Sequence, residues 1–260
     1  MTVICIVAAT IILATNPASH RDLFCEGVVL QNTTDPTYQP WNTWTNTAFF
    51  IIPFLQVWFG RGTNFTLYQI GTPVLVAHIG LASLLYHRLQ APWTALWDVI
   101  SIVMYIVFEF TTTCHILVQN VQFNIALYLL VSLSVGIAVF FRPDASAQGD
   151  YHMGVNLTVS IFLAATILLE LFRPGSTWKS LIFLTIASIL AVPSLILYLL
   201  SDHPDCATPV QILGHGWWHL TTALAILSLF VSKVSHLDTP PTVYPLEEFG
   251  LRDSDENMII

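Results

Sequence analysis

Apolar residues fill this chain in seven long stretches separated by short polar breaks, at roughly 43–60, 66–87, 93–118, 121–141, 153–172, 178–200 and 210–233. Each is close to the ~20 residues that a helix rising about 1.5 Å per residue needs to cross the hydrocarbon of a bilayer. The breaks carry turn and helix-stop residues: Arg61-Gly62, Ala91-Pro92, Arg142-Pro143, Arg173-Pro174-Gly175 and Asp202 to Pro209. The weakest break is Gln119-Asn120, and Pro193 predicts a kink in the sixth stretch. The pattern predicts an all-α, polytopic membrane protein, a seven-transmembrane helix bundle.

Three regions follow. Residues 1–41 form an N-terminal segment, 42–236 the seven-helix domain, and 237–260 an acidic tail that lacks helical periodicity and reads as disordered. Val3 to Leu13 is apolar but too short to span, and no Lys or Arg precedes it as in a secretory signal. A segment at the membrane surface is the favoured reading, and a cleaved signal the alternative.

Composition agrees with the pattern. Of 260 residues, 55% are hydrophobic and 9% charged, where a soluble domain carries about a quarter charged residues. The net charge of −8 owes much to the tail, and no basic patch points to nucleic acid. Arg61, Arg173, Lys179, Lys233 and Arg252 fall on the C-terminal side of the threading; Arg21, Arg88 and Arg142 fall on the other. That excess predicts a cytosolic C terminus and a lumenal or extracellular N terminus, the side that holds the Asn32-Thr33-Thr34 sequon.

Against this apolar background five residues stand out: Ser83, His87, Asp98, His215 and His219. Ionisable groups are costly in hydrocarbon, so an intramembrane His/Asp set marks a functional site. Ser83 and His87 are four apart, as are His215 and His219, which puts each pair on one helical face. Up-and-down threading brings the end of the second stretch and the starts of the third and seventh to one membrane face, at similar depth. Three imidazoles with a carboxylate and a hydroxyl are the components of a catalytic zinc site with one open position.

The segments SLLYH (83–87), LWDVISI (96–102) and HGWWHLTT (215–222) resemble the three motifs of the alkaline ceramidase family. That family belongs to a superfamily of seven-span hydrolases that also contains adiponectin-type receptors. FCE (24–26) and QPWNTWTN (39–46) resemble the ceramidase branch more than the receptor branch, and the likeness runs from about residue 24 to 235. It implies that His87, His215 and His219 bind Zn2+. It further implies that Asp98 is general base and then acid, and that Ser83 donates to the water or the oxyanion. The implied reaction is hydrolysis of the linear amide C–N bond of ceramide to a sphingoid base and a free fatty acid. The expected partners are ceramide or a related lipid as substrate and the membrane lipids, with the chain functioning as a monomer.

The resemblance implies two further features at the N-terminal face. Cys25 and Cys206 would pair as a disulfide, leaving Cys5 and Cys114 as free thiols. A Ca2+ site is also implied, but Gln39 stands where a glutamate is expected, and Leu23 and Val28 replace oxygen ligands. Calcium takes six to eight oxygens, so the site is impaired, or rebuilt from Glu26, Asp22 and backbone carbonyls.

Other polar residues read as structural. Glu109 is expected to be a capped or snorkelling acid toward the cytosolic end, Glu170 and Arg173 an exposed i,i+3 pair, and His78 a packing residue. His115 lies at the wrong end of its helix, and nothing singles out His152 or His203. Trp217 fits pocket lining and plain packing equally. Two other functions compete: a different lipid acyl hydrolase of the superfamily, and a seven-span receptor with a structural zinc site.

Overall fold

The computed structural model describes residues 39–61, 66–89, 92–118, 121–140, 161–201 and 208–237. Its elements are α1 (Pro40–Thr45), α2 (Ala48–Phe59), α3 (Thr66–Leu89), α4 (Pro92–Val118), α5 (Val121–Phe140), α6 (Ile161–Leu171), α7 (Trp178–Ser201) and α8 (Pro209–Leu237). No strand occurs among the described residues. Within α3, α4, α7 and α8, four segments are long and apolar enough to cross a membrane: Tyr68–Leu89, Trp93–Val118, Trp178–Ser201 and Pro209–Ser235. The outward face of α7 is apolar, with Ile189 at 65% and Val192 at 62% exposure. A helix that greets its surroundings with aliphatic side chains suits lipid, and the chain has the make-up of an integral membrane protein.

The predicted first stretch divides. α1 and α2 meet at Asn46 and Thr47, where Thr47 N–H bonds Trp44 O at 3.0 Å and Phe49 N–H bonds Asn46 O at 3.0 Å. These i→i−3 bonds tighten the chain locally into a 3₁₀-like turn. The cause is a run of short polar side chains that bond nearby carbonyls. Thr45 Oγ1 donates toward Trp41 O and Asn42 O (3.0 and 3.1 Å), and Asn46 Nδ2 donates to Asn42 O at 2.8 Å. Pro40 sits at the first helical position of α1, where its missing N–H costs nothing.

The other boundaries lie close to the hydropathy pattern. α4 stops at Val118 and α5 restarts at Val121, while α7 continues through Pro193. Thr208 and Gln211 cap the start of α8 reciprocally, Thr208 N–H to Gln211 Oε1 at 2.9 Å and Gln211 N–H to Thr208 Oγ1 at 3.3 Å.

α8 lies most extensively along α7, and α3 packs between α2 and α4. The main core draws Phe49 and Ile52 from α2, Val76 and Ile79 from α3, Tyr105 and Ile106 from α4, and Ala223 and Ile226 from α8. Gly80 lets α3 approach α2 closely, since a Cβ there would stand 2.8 Å from Phe49 Cβ. This bundle holds the last turns of α3 and the first turns of α4 and α8 side by side.

A second cluster lies further along the same helices and corrects three sequence expectations. Glu109 is not a snorkelling acid: it is 1% exposed, and Lys233 Nζ donates to its Oε2 at 2.6 Å and to its backbone oxygen at 3.0 Å. Tyr68 OH reaches both carboxylate oxygens at 3.2 and 3.1 Å. Glu170 and Arg173 do pair, at 3.0 Å, but their side chains are only 1% and 2% exposed rather than on an exposed helix end. Glu170 also accepts from Thr113 at 3.0 Å and lies 3.8 Å from Lys233 Nζ. Lys233 and Arg173, counted above as loop charges that set orientation, are therefore buried partners of carboxylates. Charges this costly to desolvate turn inward when counter-charges are there to meet them. Burial also pulls the Arg173 guanidinium below its usual value, opposed by the Glu170 charge.

Candidate metal centre

α3 delivers His87 near its C-terminal end, and α8 delivers His215 and His219 from its second and third turns. The four-residue interval sets the α8 rings on one face, edge to face, with centroids 4.7 Å apart. His87 meets both from the facing helix, at centroid distances of 4.8 and 5.1 Å. One ring nitrogen from each histidine lies within 4.8 Å of the other two, and all three residues are buried. His87 Nε2 and His215 Nε2 are 3.2 Å apart. Two nitrogens on one tetrahedral zinc ion stand about 3.3 Å apart for Zn–N of about 2.0–2.1 Å. The Nε2 of His219 is buried and makes no hydrogen bond among the described residues. The donor set and its spacing fit a divalent metal.

The surroundings are aromatic. Trp218 lies 4.8 Å from His215 and 5.0 Å from His219, Tyr86 lies 4.9 Å from His87, and Tyr198 lies 5.6 Å from His215, all between ring centroids. Such walls keep water sparse and strengthen electrostatic contacts inside. Trp217, between the two α8 ligands, is instead 49% exposed and meets Trp41 edge-on at 5.8 Å.

The remaining candidates fall as follows. Ser83 is buried one turn before His87, and its hydroxyl has no hydrogen-bond partner among the described residues. A buried hydroxyl left unmet costs roughly 1–3 kcal/mol. Asp98 is buried in the second turn of α4, and it is not one of the three mutually close metal donors. Cys25, Cys206, Glu26 and Asp22 lie outside the described residues, as do Cys5, His152, His203, the 3–13 segment and the tail. Cys114 is a free thiol, and His78 accepts from Trp97 Nε1 at 2.6 Å, as a packing residue does.

Sequence reasoning missed two contacts at the metal centre. Gln39, which figured only as a substituted calcium position, is fully buried with Oε1 2.6 Å from His87 Nδ1. Thr45 places Oγ1 2.9 Å from His219 Nδ1. Their density of Asn, Gln and Thr in an otherwise apolar stretch was the available signal. Glu109 and Lys233 had a signal too. They lie eleven residues past Asp98 and fourteen past His219, hence about 16 and 21 Å along their helices, which gives opposite charges a similar depth.

No family model, curated protein or solved structure matches the chain.

Proposed function

We propose that the chain is a zinc-dependent intramembrane amidase that hydrolyses ceramide to a sphingoid base and a free fatty acid. The observation that carries this reading is the set of three buried histidines whose ring nitrogens lie within 4.8 Å of one another. The motif resemblance around Ser83, Asp98 and the histidines supplies the substrate class. In this reading the whole domain is a seven-span bundle with its N terminus lumenal or extracellular and its C terminus cytosolic, closed at its mouth by a Cys25–Cys206 disulfide.

Zinc, when bound, supplies Lewis acidity that polarises an amide carbonyl and acidifies water at neutral pH. The chain's own groups supply the rest. Asp98 takes a proton from the attacking water as its oxygen bonds the carbonyl carbon. It then delivers that proton to the departing nitrogen as the C–N bond breaks, so that acid and amine leave with water's atoms shared between them. Ser83 donates a hydrogen bond to the oxygen on which negative charge develops. The aromatic side chains exclude bulk water and offer apolar surface to the acyl chain.

The test is fatty-acid release from a panel of ceramides by purified, detergent-solubilised protein, with and without a zinc chelator. Release abolished by the chelator and restored by Zn2+ is expected. A zinc-loaded protein inert on every ceramide would instead favour another acyl lipid or the receptor reading.

A further inference from the structure

We infer that α1 is an orienting clamp for the metal centre, in which Gln39 and Thr45 act as positioning residues that fix the tautomers of His87 and His219. This inference rests on the proposed metal reading and adds what presents the ligand nitrogens.

The amide and hydroxyl contacts give each histidine a direction. Gln39 Oε1 accepts from Asn42 Nδ2 at 2.9 Å and, as an amide oxygen, has no proton to give, so His87 Nδ1, 2.6 Å from it, meets it as an N–H. Thr45 has one hydroxyl proton and two backbone carbonyls within reach, Trp41 O at 3.0 Å and Asn42 O at 3.1 Å. Donating to either leaves an Oγ1 lone pair for His219 Nδ1–H at 2.9 Å. A neutral imidazole carries one N–H, so both rings present bare Nε2 atoms. Those are the atoms that face the cluster: His87 Nε2 lies against His215 Nε2, and His219 Nε2 is buried without a hydrogen bond.

A single short element therefore reads two histidines that arrive on different helices. It is pinned to the second of these by more than Thr45. Trp41 Nε1–H bonds Leu213 O on α8 at 3.1 Å, and its indole fills the space that a Cβ at Gly216 would need. The same polar side chains break the first apolar stretch into α1 and α2. Retaining them in an apolar segment has a local structural cost, and orienting the ligands gives that cost a purpose. Because Gln39 is neutral, it orients His87 without the extra basicity that a carboxylate partner would confer.

The experiment uses full-length protein in detergent, with ¹⁵N-labelled histidine and Zn2+ affinity measured by chelator competition. In the metal-free protein, His87 and His219 should both show the Nδ1–H tautomer. Thr45→Val should loosen His219 alone, leaving its contact with the Asn42 backbone, and Gln39→Met should release His87 alone. Each should weaken Zn2+ by about 10–100-fold, as loss of an outer partner typically does. Thr45→Ser should restore wild-type affinity, and Gln39→Glu should equal or exceed it. Tautomers unchanged in both variants, with affinities within about twofold of wild type, would overturn the clamp. If the wild-type protein binds no Zn2+, the metal reading fails, and the metal-free tautomers still decide whether Gln39 and Thr45 orient the rings.

Discussion

The bundle holds two buried polar clusters on the same helices, and they are built on opposite terms. Around His87, His215 and His219 the chain leaves atoms unmet: His219 Nε2 and the Ser83 hydroxyl are buried and have no hydrogen-bond partner. Around Glu109 the carboxylate collects Lys233, Tyr68 and a long contact from Thr72 at 3.5 Å, and Glu170 collects Thr113, Arg173 and the more distant Lys233. One cluster turns three ring nitrogens toward one another, a donor set that could hold a metal ion. The other is occupied by its own counter-charges, and its work is to join α3, α4, α6 and α8. The contrast shows why burial of an ionisable group in a membrane protein does not by itself distinguish site from scaffold. What the group faces does: Glu109 and Glu170 meet cations, whereas the three imidazoles meet one another.

The largest effect that separates the clusters is expected at a ligand. His219→Ala should abolish high-affinity Zn2+ binding and amidase turnover while the melting temperature of the metal-free protein changes little, because the ring carries no counter-charge of the kind that ties Glu109 to Lys233. Metal analysis alongside thermal unfolding checks this, and a variant that keeps full zinc would remove His219 from the centre. Asp98→Asn comes next. It should keep zinc and lose turnover by about 10²–10⁴-fold, the usual worth of a positioned base. An equal loss of metal would make Asp98 a ligand rather than the base.

The charged cluster should respond in the reverse sense. Lys233→Met leaves Glu109 buried without its cation and should cost about 3–5 kcal/mol of stability, with zinc affinity retained. Adding Glu109→Leu should recover most of that loss, since a matched apolar pair avoids desolvating either charge. Thermal unfolding of the two single variants and the double variant measures the coupling. If Lys233→Met proved neutral, the cluster would not be scaffold.

These regions also differed in how far sequence exposed them. The histidines were legible because a four-residue interval has one meaning on a helix, and because helix ends at known chain positions have predictable depth. Which way a side chain points was not legible. Lys233 near the end of an apolar stretch resembles a loop charge, and only its geometry shows Nζ turned inward to Glu109. The first stretch, 43–60, likewise reads as one span because hydropathy averages over Thr45 and Asn46. Hydrogen bonds from those side chains to carbonyls one turn back decide the break, and an average does not record them. Gln39 drew attention only as a missing carboxylate; its actual partner, His87, lies 48 residues away in sequence.

The smallest expected effect sharpens the comparison most, because it is a pair of single-hydroxyl deletions with opposite signs. Tyr68→Phe removes a donor from the Glu109 carboxylate and should lower stability by about 1.5–3 kcal/mol, the range for hydrogen bonds to charged groups. Ser83→Ala removes a buried hydroxyl that has no partner, so its loss relieves a desolvation cost and should leave the melting temperature unchanged or slightly raised. Turnover should follow the other order. Ser83→Ala should lose about 10²–10³-fold if its hydroxyl meets the developing oxyanion, and Tyr68→Phe should lose little beyond what reduced folding explains. A stabilised but slowed Ser83→Ala is the behaviour of a residue kept for chemistry at the expense of stability. A destabilised one would mean that the hydroxyl is bonded in the folded protein, and the two clusters would then be built on the same terms after all.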